Sequence, residues 1–160
     1  MIVLDDPFQK LYNQALKFLT YRSRAEKEVR DHLNKKSLRL EIGPEFTEKV
    51  ISKLKKQNLI DDKAFAVWWC EQRAQFRPRS KKMIAAELSA KGLDRELIKE
   101  ITDKTVDEEL LIRRLLQKKI NNSKQKIDQR GRRKLINYLL RRGFGWASAK
   151  KAIDSLSRKA

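Results

Sequence analysis

Chemistry in a protein needs reactive side chains in reach of one another, and this chain offers few. His32 is its single histidine and Cys70 its single cysteine. No serine or cysteine stands in a recognisable nucleophile setting beside His32, which lies among charged residues of an amphipathic helix and reads as a surface position. Cys70 falls in the most apolar helix, where a thiol is usually an inert core residue. One cysteine and one histidine cannot complete a structural zinc site. Gly92, Gly143 and Gly145 lack the spacing of a phosphate-binding glycine loop and read as caps and turns. Asp61-Asp62 has the look of a metal carboxylate pair, but an acidic helix start explains it without a metal. No catalytic residue, metal or cofactor is therefore expected, and the chain reads as a binding protein rather than an enzyme.

The chemistry that remains is anion binding. The formal charge is +18, from 39 basic and 21 acidic residues. Residues 113–160 hold 16 Lys/Arg against only Asp128 and Asp154, whereas residues 1–112 hold 23 against 19. Such a surplus is a statement about partners, and a polyanion is the natural one. At 100° per residue Arg130, Arg133, Lys134, Asn137 and Arg141 share one helical arc, and no acid occurs from Gln129 to Ile153. A solvated face normally mixes signs, and like charges at i, i+4 repel by a few tenths of a kcal/mol. The candidate anion-binding residues are thus Arg130, Arg132, Arg133, Lys134, Arg141 and Arg142, with a shorter stripe at Arg77, Arg79, Lys81 and Lys82. In the first third, Arg24 and Lys27 alternate with Glu26 and Glu28 and read as an ordinary solvated face.

The elements that position these residues repeat. Three ungapped segments align at 23–38 (SRAEKEVRDHLNKKSL), 78–93 (PRSKKMIAAELSAKGL) and 129–144 (QRGRRKLINYLLRRGF). Arg24, Arg79 and Arg130 share a column. Val29, Ile84 and Leu135 share another, and Leu33, Leu88 and Leu139 follow four residues later, giving each helix one buried stripe. A cation closes each last turn (Lys36, Lys91, Arg142). Ser37, Gly92 and Gly143 come next, then Leu38, Leu93 and Phe144, a Schellman signature. A third helix follows each segment. Matching Phe46, Val50, Ile51 and Leu54 to Leu93, Leu97, Ile98 and Ile101 implies an eight-residue insertion after Leu38 in the first unit, containing Gly43-Pro44.

Leading helices are expected near 8–21, 62–76 and 107–120, with Asp61 or Asp62 and Asp107 as N-caps and a capping box at Ser23-x-x-Glu26. The helix at 62–76, with Phe65, Trp68, Trp69 and Phe76, should be the most buried. Its aromatics read as core, whereas Trp146, beside the basic region, could instead stack on a partner. Residues 121–128 read as a polar, mobile connector. The fold class is all-α, with about nine helices in three tandem three-helix repeats at 8–60, 61–106 and 107–157.

A single cysteine allows no intrachain disulfide, so a reducing compartment is expected. The N-terminus MIVLDDPF lacks the features of a secretory signal. The longest apolar run, 64–70, is far short of the roughly 20 residues a spanning helix needs. A cytoplasmic protein with no membrane association is expected, and nothing in the pattern asks for an oligomer.

The chain resembles the RecX family, regulators of the RecA recombinase. The carrying residues are ALKFLTYRSRAEKEVRDHL at 15–33, LIDDKAFAVWWCEQR at 59–73, ELSAKGL at 87–93 and RRGF at 141–144. The resemblance covers about residues 11–156, and its specificity lies in the order and spacing of these segments. It implies three tandem three-helix repeats in an elongated, curved shape. It also implies binding in the groove of the RecA–DNA filament, damping strand exchange, ATP hydrolysis and co-protease activity, without enzymatic activity of its own. Family-matching Arg22, Asp61, Asp62, Phe65, Arg73, Glu87, Lys91, Gly92, Gly143 and Phe144 read as structural. The concentration of charge in the last third departs from the family pattern. A second expectation is direct contact with single- or double-stranded DNA through the basic third repeat.

Overall fold

In the computed structural model, residues 6–123 and 128–157 are described. They form nine helices and, among those residues, no strand: α1 Pro7–Leu19, α2 Glu26–Arg39, α3 Pro44–Lys56, α4 Asp62–Phe76, α5 Lys81–Ala90, α6 Arg95–Thr105, α7 Glu108–Ser123, α8 Gln129–Leu140 and α9 Trp146–Ser157. The all-α class and the tandem arrangement follow the sequence reading. The N-terminal residues 1–5 lie outside the described residues. The expected connector at 121–128 is shorter than anticipated, because α7 continues to Ser123; residues 124–127 lie outside the described residues.

Aspartates open four helices by satisfying backbone N–H groups that the helix itself leaves without partners. Asp6 accepts from Phe8 N, Asp61 from Lys63 N and Ala64 N, Asp107 from Leu110 N and Asp128 from Gly131 N. The capping box expected at Ser23 and Glu26 does not form, since α2 begins only at Glu26. Instead the Glu28 carboxylate accepts from Ala25 N at 3.1 Å. The middle helices α2 and α5 are opened from outside their own segment: Asp62 accepts from Glu26 N at 2.8 Å and Glu108 from Lys81 N at 2.7 Å. The acid that begins each following leading helix thus reaches back to the first N–H of the preceding middle helix.

The repeat is more regular in three dimensions than the alignment implied. The Schellman turn of the first unit is not at Ser37-Leu38: Ser37 is buried within α2 and Leu38 is 82% exposed. The chain reverses at Glu41, with φ 53°, and Ile42 N donates to Ser37 O. Glu41, Gly92 and Gly143, all at positive φ, stand 51 residues apart, as do the starts of α3, α6 and α9. The supposed eight-residue insertion is instead four more residues in α2, 14 against 10 in α5, with four-residue connectors after both. Four residues are close to one helical turn, so the buried stripe stays in phase. In register at this offset, Thr47, Ile98 and Ala149 are all buried, as are Ile51, Thr102 and Ile153.

The chain packs as two compact units, Met1–Trp68 with Leu88–Ile98, and Trp69–Glu87 with Lys99–Ala160. The core of the first gathers Leu11, Ala15, Val29, Leu33, Val50, Ile51, Leu54 and Ile60. In the second, α7 buries Leu111, Ile112, Leu115 and Leu116, and α8 buries Leu135 and Leu139, with Phe144 and Ile153 also buried. Helix α4 is not the most buried helix. Phe65, Ala66 and Cys70 are buried, but Trp68 and Trp69 are only half-buried and Phe76 is 67% exposed. An indole is too large to bury whole at this spacing, and its N–H needs an acceptor, which Glu87 supplies to Trp69 at 2.8 Å.

Gly143 stands at φ +85°, and a Cβ there would come within 2.5 Å of Ser80 Oγ and Met83 Cγ, while Ser80 N donates to Arg142 O. Gly143→Ala therefore adds left-handed strain to a close helix-to-helix approach. A loss of about 2 kcal/mol in unfolding free energy is expected by denaturant titration.

Candidate nucleic-acid interface

Within the second compact unit, three segments converge on a cleft of about 610 Å³. The end of α4 and the turn after it contribute Ala74, Gln75, Phe76, Arg77, Pro78 and Arg79. Helix α7 adds Arg114, Leu115 and Lys118, and the end of α8 adds Tyr138, Arg141 and Arg142. Six of these twelve residues are cationic and none is acidic. The two stripes read separately from the sequence, at 77–82 and 130–142, therefore meet, but each only through part of its length.

Pro78 holds φ of the α4–α5 turn, and the bond from Ser80 N to Arg142 O, 3.0 Å, ties that turn to the end of α8. Arg79 donates to Glu87 Oε1 at 2.7 Å, while Arg73 Nε donates to Glu87 Oε2 at 2.6 Å. Arg79 is thus partly neutralised and rigidly placed. Arg142 lies 3.9 Å over the Tyr138 ring and donates to Tyr138 O. Among the described residues, no carboxylate lies within ion-pair distance of Arg77, Arg114, Lys118 or Arg141.

The remaining candidates lie elsewhere. Lys82, Arg130, Arg133 and Lys134 are exposed but do not line the cleft. Lys81 pairs with Asp103 at 3.4 Å, and Arg132 pairs with Asp154. Arg114, Lys118 and Phe76 were not singled out from the sequence. The i, i+4 spacing of Arg114 and Lys118 was a visible signal, but only folding places α7 beside the end of α8. Trp146 is 57% exposed, with Lys150 Nζ 5.0 Å from its ring, and lies outside the cleft.

The residues weighed for catalysis have structural surroundings. His32 is not a plain surface position: its ring stacks on Phe18 at 4.1 Å. Burial, with the charges of Lys36 and Arg24, pushes its pKa below the usual histidine value. Burial pushes the Cys70 thiol up, the opposite of what a nucleophile needs. Asp61 and Asp62 cap α4 and α2 respectively. Arrangements of this kind orient helices; the cleft can hold an anion.

Sequence models of three domains match the chain: RecX, first three-helix domain, over residues 12–54; RecX, second three-helix domain, over 61–101; and RecX, third three-helix domain, over 107–153. The regulatory protein RecX of Pelodictyon phaeoclathratiforme is 32% identical over 142 residues, 89% of this chain and 86% of that protein. The chain belongs to the RecX family. A crystal structure of RecX from Lactobacillus salivarius superposes with a TM-score of 0.77 at 28% identity, covering 96% of this chain and 99% of that one. The regulatory protein RecX of Oceanobacillus iheyensis is 36% identical over 146 residues. This chain spans about half the length of that RecX protein and of several other curated relatives it matches. RecX proteins are a regulatory family, and among the described residues here no helix is long and apolar enough to cross a membrane.

Proposed function

We propose that this RecX-family chain regulates a RecA recombinase by seating in the groove of the RecA–DNA filament, damping strand exchange, ATP hydrolysis and co-protease activity. It acts by binding, in the cytoplasm, and needs no catalytic residue of its own. The observation that carries this reading is the succession of three RecX domains along residues 12–153. We take the units as 8–60, 61–106 and 107–157. Each unit is small and offers one weak contact, and tandem contacts on a repetitive filament multiply by effective concentration. A monomer suffices for that.

The contact residues proposed are Arg77, Arg79, Lys81, Lys82, Arg130, Arg132, Arg133, Lys134, Arg141 and Arg142. Arg130, Arg133 and Arg141 are exposed and have no acidic partner among the described residues. The testing experiment titrates the chain into RecA filaments preformed on single-stranded DNA and follows ATP hydrolysis at near-physiological salt. Hydrolysis is expected to fall at substoichiometric protein. Reversing Arg130, Arg133 and Arg141 to Glu should weaken this effect at least about tenfold and flatten its salt dependence. Stability should change by no more than about 0.5 kcal/mol per site. Undiminished hydrolysis with the unaltered chain would rule out filament regulation, and undiminished inhibition by the triple variant would leave the α8 stripe a solvated face.

A further inference from the structure

We propose that the cleft between the α4–α5 turn, α7 and the end of α8 binds the phosphate backbone of single-stranded nucleic acid directly, with a base stacked on Phe76. This goes beyond filament regulation and does not require it. The site lies within one compact unit and needs no second protein to complete it.

The charges point to the class of ligand. Six cations surround about 610 Å³, and Glu87, set behind Arg79, is the one carboxylate paired with any of them among the described residues. Mutual repulsion is relieved when an anion enters, and a concave wall of one sign focuses the field on that volume. Guanidinium groups predominate, and their planar donor forks match phosphate oxygens two at a time. The anchored backbone between Ser80 and Arg142, together with Pro78, means that little order must be gained on binding.

Phe76 narrows the class. It is the last residue of α4, is 67% exposed and is one of the cleft-lining residues, directly preceding Arg77-Pro78-Arg79. An exposed ring among cations loses hydrophobic stabilisation unless something planar covers it. Nucleic-acid bases do so when unpaired, whereas the faces of bases in a duplex are already stacked. An acidic protein surface would satisfy the cations but gives no reason for the ring. A cleft of this volume is also of small-ligand size, suited to a few nucleotides of a strand rather than to a folded partner.

Fluorescence anisotropy of a labelled 20-residue oligothymidylate, with the full chain and no other protein, tests the proposal. Binding is expected with a log–log salt slope of about −3 to −4, corresponding to roughly four to six phosphates. Phe76→Ala should weaken it about 5- to 100-fold without changing the slope. Arg114→Gln with Arg141→Gln should weaken it and flatten the slope by about one unit. Lys82→Gln, which changes a cation outside the cleft, should do neither. Thermal melting of each variant checks that its fold is intact. Duplex DNA bound as tightly as oligothymidylate, or full affinity in Phe76→Ala, would overturn the stacked single strand. Millimolar ATP displacing the oligomer completely at constant ionic strength would show a mononucleotide site instead. Absence of oligomer binding, with filament inhibition retained, would assign the cleft to an acidic protein surface.

Discussion

Replacing Glu87 by Leu is expected to lower the unfolding free energy by about 2–4 kcal/mol, read as a fall in Tm of roughly 5–12 °C. One carboxylate, on a side chain only 17% exposed, receives the Trp69 indole N–H, Arg73 Nε and Arg79 Nη1. Leu removes the acceptor but leaves two guanidinium groups close together, with Arg73 only 22% exposed. Leaving partly buried charge without its partner costs more than the pair contributed. Arg73 also lies 4.6 Å from the Trp69 ring centroid, so its displacement loosens α4 as well. Glu87→Gln keeps an acceptor for the indole and should recover about half of the loss. If Glu87→Leu melts with the unaltered chain, the cluster is surface decoration and the turn carrying Arg77 and Arg79 is held by Pro78 and Ser80 alone. The cleft is affected in step, because Glu87 positions Arg79.

The second large effect is a loss of stability in acid, centred on Glu28. Burial by itself would raise this carboxyl. Hydrogen bonds from Arg22, Lys91 and the Ala25 N–H, with the charge of Arg22, outweigh burial and bring it down to about 2. Its bonds to Arg22 and Lys91 are 2.7 and 3.0 Å, and each of the three side chains is less than a third exposed. A folded-state value below the ordinary 4.5 means that the stabilisation is fully present above about pH 4.5 and is lost as pH falls towards 2. With about 1.4 kcal/mol for each pKa unit, the loss should approach 2–3 kcal/mol across that window. Glu28→Gln should be less stable at neutral pH and should lose much of the acid dependence between pH 4.5 and 2. An unchanged pH profile in that variant would place the acid sensitivity on other carboxylates. Lys91 belongs to the turn after α5 and Glu28 to the first turn of α2, so the bond also ties one repeat to the next within the first compact unit.

How much of this was legible in the chain differs from one feature to another. Periodic Val29/Leu33, Ile84/Leu88 and Leu135/Leu139 stripes and the Asp caps are local signals. A helix obeys them wherever it packs, and the helices stand close to where they were expected. The alignment failed at Ser37-Leu38 for a local reason too. An extra turn of α2 keeps hydrophobic phase, so composition could not show that the reversal had moved to Glu41, a residue that carries no glycine-like mark. Phe76 read as core because helical spacing reports which residues share a side, not whether a neighbouring element covers that side.

The sequence by itself determined an all-α tandem repeat, its family and the excess of cations in the last third, because periodicity, caps and charge are properties of residues a few positions apart. Only the tertiary structure decided which cations act together. It set Arg114 and Lys118 of α7 beside Arg77 and Arg141, withdrew Lys81 and Arg132 into pairs with Asp103 and Asp154, and left Phe76 in the open. Those outcomes depend on the packing of helices distant in the chain, where Coulomb energy and burial act through space rather than along the backbone.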